Sequence, residues 1–66
     1  MNEIRLRNKQ TAHFVKYARD QLGMTQQQLA DTLGTPRYNV AKWESGFTTP
    51  PGALVLKILQ MMPREE

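Results

Sequence analysis

A chain of 66 residues holds one domain and one small core, and burying only about 60% of the unfolded surface leaves such a domain thinly stabilised. With no cysteine and only one histidine, His13, it has no disulfide framework and no thiolate or imidazole cluster, so neither a metal nor another cofactor is expected. The net charge of +3 and sequence pI of about 9.7 suit a polyanionic partner, yet small domains without one are often as basic. The excess lies in residues 1–22, where Arg5, Arg7, Lys9, Lys16 and Arg19 outnumber Glu3 and Asp20. No apolar run approaches the ~20 residues that span a bilayer, so no membrane partner is expected. "MNEIRLRNKQ" has no secretory apolar core, and the expected compartment is the cytoplasm.

"EIRLR" alternates polar and apolar residues and reads as a disordered arm, a first helical turn or a pairing strand. The arm is preferred: residues 1–10 form a basic arm, 11–62 the folded domain and 63–66 a short tail. The first helix runs from about Asn8 or Thr11 to Leu22, carried by Phe14, Val15, Ala18 and Leu22, and Gly23 ends it. Thr25 and Gln28 have capping-box spacing ahead of "QQQLADTL", whose inner side is Leu29, Ala30 and Leu33. Gly34 stops that helix. Thr35 as N-cap and Pro36 at the first helical position start the next, which Gly46 ends. "FTTPP" is a loop. A last helix spans about Pro51 to Met62, with Pro63 after it. The expected fold is all-α, a compact four-helix domain.

Residues Gln26 to Ser45 are spaced as helix, tight turn, helix. A small residue is needed where the helices cross, at Ala30. A residue tolerant of positive φ is needed in the turn, at Gly34. An apolar lock is needed on the second helix, at Val40. At ~100° per residue, Pro36, Val40, Trp43 and Glu44 fall on one side of the second helix, with Phe47 continuing it. Tyr38, Ala41, Lys42 and Ser45 fall on the other, flanked by Arg37 and Asn39. Arg37 can take guanine O6 and N7 in a fork, and Asn39 can pair with adenine. Tyr38 can bond a phosphate or pack on a base edge, Lys42 can take a guanine or a phosphate, and Ala41 can touch a thymine methyl.

The segment "MTQQQLADTLGTPRYNVAKWESG", with "RDQLG" before it and Pro50 after it, resembles the lambda-repressor-like, or XRE/Cro, helix-turn-helix family. The resemblance covers roughly residues 11 to 62. It implies a regulator that binds double-stranded DNA, with the helix 36–45 in the major groove and Arg37, Tyr38, Asn39 and Lys42 as base or phosphate contacts. It implies backbone contacts by Gln26 at the start of the preceding helix and by Ser45, Gly46, Thr48 and Thr49 in the following loop. It also implies an ion pair between Arg19 and Glu44, which explains an acidic residue on a helix meant for a polyanion. Many relatives carry a fifth helix that helps them dimerise; this chain ends after the fourth.

Trp43 is expected in the core. His13, with no partner for catalysis, is a solvated residue or a phosphate contact. Arg5, Arg7 and Lys9 either track DNA or solubilise the chain. In the last helix Val55, Ile58, Leu59 and Met62 form the expected core stripe, which leaves Leu54, Leu56 and Met61 on other faces. A helix apolar nearly all round calls for a second burial partner, so a homodimer through Leu54, Leu56 and Met61 is expected, matched to an inverted-repeat operator. The resulting expectation is a dimeric repressor that covers a promoter and controls its own synthesis, like small phage, mobile-element and toxin–antitoxin regulators. The alternative is an antitoxin-type module of the same fold that masks a partner protein. No nucleophile–base pair, carboxylate dyad or phosphate-cradling loop points to an enzyme.

Overall fold

The computed structural model describes residues 3–63, with side chains described from Asn8 onward. Among these residues there are four helices and no strand: α1 (Glu3–Leu22), α2 (Gln26–Leu33), α3 (Arg37–Glu44) and α4 (Gly52–Met61). No described helix is long and apolar enough to cross a membrane.

The first helix starts earlier than expected. Residues 3–10 are helical turns, not an arm, because "EIRLRNKQ" holds good helix formers with neither glycine nor proline to stop the helix. A strand there would need a partner, and the described residues hold no other strand. Asn8 Nδ2 donates to the Gly46 carbonyl at 3.0 Å, tying this end of α1 to the loop after α3. The side chains of Arg5 and Arg7 and the 64–66 part of the tail lie outside the described residues.

Hydrogen bonds fix the remaining helix ends. The capping box of α2 is complete: the Gln28 amide donates to Thr25 Oγ1 at 3.1 Å and the Thr25 amide to Gln28 Oε1 at 2.9 Å. Three helices end alike. The amides of Gly23, Gly34 and Gly46 bond back to Asp20, Asp31 and Trp43, and the amides that follow, of Met24, Thr35 and Phe47, reach Arg19, Ala30 and Lys42. This is the Schellman pattern, and it needs the left-handed backbone found at Gly34 (φ +73°) and Gly46 (φ +80°). Thr35 is thereby held in the turn that closes α2. The N-cap position of α3 falls to Pro36, without a side-chain cap, instead of to Thr35 as expected.

The core joins Val15 and Ala18 of α1, Leu29, Ala30 and Leu33 of α2, Val40 and Trp43 of α3, and Ile58 of α4. Ala30 and Val40 are fully buried, as the expected crossing of α2 and α3 requires. On α4 the expected stripe is turned about the helix axis. Ile58 is fully buried and Met62 packs against the core, both as expected, but Leu59 is 49% exposed, while Leu54 and Met61, expected on other faces, also pack against the core. Leu54, Ile58 and Met61 recur at i, i+4 and i+7, as good an inward stripe as the expected one, and a helix apolar all round does not itself select between them. Of the three residues expected at a dimer contact, Leu56 is the exposed one, at 61%.

Candidate nucleic-acid interface

α3 is held by its inner face. Val40, Trp43 and Glu44 are buried there, while Arg37, Tyr38, Lys42 and Ser45 are exposed and Asn39 and Ala41 half-buried. α1 and α2 both pack on α3, and α4 packs on α1. The outward face of α3 is therefore presented by a rigid support.

Glu44, the one buried charged residue among those described, is met by the expected partner. Arg19 donates from Nε to Glu44 Oε2 at 2.7 Å and from Nη2 to Oε1 at 3.0 Å, a two-pronged ion pair, while its Nη1 donates to the Met24 carbonyl at 3.0 Å. Burial pushes the Glu44 carboxyl up. The hydrogen bonds from Arg19 and Gln26 and the charges of Arg19 and Lys16 outweigh it and hold the carboxyl below its ordinary value. Arg19 is raised, chiefly by its hydrogen bond to Glu44.

The network continues to the surface. Gln26 Nε2 donates to Glu44 Oε1 at 3.2 Å, and Gln26 Oε1 accepts from Arg37 Nη1 at 3.4 Å. The carboxamide keeps one N–H and one lone pair free of these two bonds. Gln26 thus couples the buried ion pair to the first exposed cation of α3, a link that the sequence reading does not contain. Its signal is the placement of a glutamine at the start of α2, where α3 crosses.

Asn39 is drawn back from the outward face: its Nδ2 donates to Thr35 Oγ1 at 2.8 Å. The loop after α3 also differs from expectation. The amides of Ser45, Gly46, Phe47 and Thr48 all donate to carbonyls of α3, and Ser45 Oγ donates to the Lys42 carbonyl at 2.9 Å. These donors serve the helix end, and the Thr48 and Thr49 hydroxyls are the other polar groups of that expected loop set. Thr48 is half-buried and Thr49 exposed.

Phe47 is the residue that the sequence reading placed on the wrong side. It is 73% exposed and lies beside the outward face of α3, not beneath the inner one. The cause is the turn at Gly46, which reverses the chain so that the following residue folds back on the last helical turn. Extending the helical angle past a glycine of that kind cannot succeed. Lys42 Nζ lies 5.2 Å from the Tyr38 ring centroid and 5.8 Å from that of Phe47. Tyr38, Ala41, Lys42, Ser45 and Phe47 line a shallow notch.

Among the described residues no group of three or more His, Cys, Asp or Glu comes together to hold a metal. No curated protein and no solved structure gives a significant match. A family model described as Helix-turn-helix matches residues 15–65, well over half of the chain. With α2, the turn and α3 in the arrangement above, the chain belongs to the XRE/Cro-like helix-turn-helix family, a non-enzymatic family of DNA-binding regulators.

Proposed function

We propose that the chain is a sequence-specific transcriptional repressor that binds an inverted-repeat operator as a homodimer and acts by covering promoter DNA, its own included. One observation carries the reading: α3 is buried along Val40, Trp43 and Glu44 and presents Arg37, Tyr38 and Lys42 to solvent on its other side. Arg37 takes a guanine edge, with Gln26 steering its guanidinium and offering its remaining N–H to a phosphate. Lys42 and Tyr38 add contacts a turn further on. Asn39 reads adenine with its carbonyl and second N–H, or after leaving Thr35. Thr48 and Thr49 approach the DNA backbone through their side chains, with Ser45 and Gly46 beside them in the same loop. The N-terminal turns of α1, beside the same loop, add positive charge through Lys9.

Dimerisation is assigned to the outer side of α4, where Leu56 and Leu59 are exposed. Two copies related by a two-fold axis would set their α3 helices about one DNA turn, ~34 Å, apart. Selection of bound sequences from a random duplex pool tests the reading. The expected result is a palindromic consensus whose affinity falls steeply with salt. Absence of any enriched sequence would contradict it. A tight complex with another protein that survives Arg37→Ala and Lys42→Ala would favour the antitoxin-type alternative instead.

A further inference from the structure

We propose that Tyr38, Ala41 and Phe47 form a receptor for the 5-methyl group of a thymine, with Lys42, close to both rings, engaging the polar edge beside it. The inference rests on α3 being the helix that enters the major groove. It adds a specificity-determining residue, Phe47, that lies outside the helix itself.

Phe47 is the most exposed large apolar side chain among the described residues, at 73%, and Tyr38 is 59% exposed. Two exposed rings grouped beside one cation form a surface that suits a small apolar group next to a polar edge. Its position is built, not incidental. The Phe47 amide returns to the Lys42 carbonyl at 3.0 Å, and this turn carries the ring to the outward face of α3. Tyr38, one helical turn before Lys42, brings its ring near the same ammonium. Ala41, with its small side chain, also lines the notch. The Ser45 hydroxyl donates to the Lys42 carbonyl, and Lys42 is the one charged side chain lining the notch.

The notch is thus composite, lined by two aromatic rings with one cation within reach of both. A phosphate pocket would instead converge several donors, and the amides of Ser45, Gly46, Phe47 and Thr48 are directed into the helix end. The major-groove edge of DNA has a feature of matching composition. Thymine offers the one methyl group there, next to its own O4 acceptor and to the N7 and O6 acceptors of neighbouring purines. The notch is continuous with the face that carries Arg37, so a helix seated to let Arg37 reach a base carries both rings into the groove with it.

The test uses the full chain and its enriched duplex. Each thymine is replaced in turn by deoxyuridine, which removes only the methyl group. Binding is expected to weaken about fourfold at one position in each half-site, the effect of withdrawing one buried methyl. Phe47→Ala is expected to bind the thymine and deoxyuridine duplexes alike at that position while keeping its preference at the base pair read by Arg37. Phe47→Leu, which keeps an apolar wall, should retain part of the difference and covers the case in which alanine disturbs the turn. The inference is overturned if no deoxyuridine position weakens binding, if the enriched sequence has no thymine, or if the penalty is unchanged in both Phe47 variants. An operator that responds to Arg37 but not to the methyl group defeats this inference alone. Failure to enrich any sequence defeats the reading of function beneath it.

Discussion

Glu44 has a side chain only 4% exposed, yet its carboxyl is held below the ordinary value near 4.5 because Arg19 and Gln26 bond to it. A carboxyl of this kind gives up its proton more readily in the folded state. The unfolded chain therefore binds more protons, and the stabilisation is complete above the ordinary carboxyl value and lost as pH falls through the lower, folded one. Urea melts between about pH 6 and pH 3, in steps of about one unit, should show a steeper acid loss for the native chain than for Glu44→Gln. Arg19→Met should cost about 3 kcal/mol at neutral pH, since it strands a buried charge, and replacing both partners by apolar residues should recover much of that. The pair was legible in the sequence because a carboxylate on the inward face of α3 demands a cation, and Arg19 sits where the family pattern places one. The Gln26 bonds were not, since a glutamine at a helix start looks the same in sequence whether it turns to a neighbour or to solvent.

Glycines govern the elements, and the sign of their effect depends on φ. Gly46 holds φ +80°, and the nearest atom to an added Cβ is the Asn8 carbonyl oxygen at 4.0 Å. Gly46→Ala is therefore strained in its backbone without a steric clash, at about 1–2 kcal/mol in thermal melts. Gly52, the first residue of α4, has no atom within 4 Å of an added Cβ and no positive φ. Gly52→Ala should stabilise the domain by about 0.4–1 kcal/mol, the opposite direction, by restricting the unfolded chain. Most helix ends could be read from Gly23, Thr25, Gly34, Gly46 and Pro63, because capping chemistry is local. The rotation of α4 could not, because Leu54, Val55, Ile58, Leu59, Met61 and Met62 supply more than one apolar stripe. The start of α1 was missed for the reverse reason: nothing in residues 3–10 marks an end, and a helix without a stop signal extends.

For the molecule as a whole, the account divides three tasks. The core and the Arg19–Glu44 pair hold α3, while the proposed function gives the outward face of α3 with Phe47 the choice of bases and the outer side of α4 the two-fold contact. Leu56→Glu places a charge on the exposed apolar part of α4 and should dissociate the proposed dimer in sedimentation while leaving the helical circular dichroism intact. Unchanged self-association would locate the contact elsewhere. Symmetry then makes the central claim measurable through Arg37, whose position on α3 was legible in the sequence. The most direct measurement is the affinity of the enriched operator and all its single base-pair variants for the full chain and for Arg37→Ala. The account expects Arg37→Ala to lose about 1–3 kcal/mol of discrimination at one symmetric pair of positions and to keep its preferences elsewhere. A loss spread evenly over every sequence, or no loss at all, would contradict the claim that this face of α3 reads the DNA.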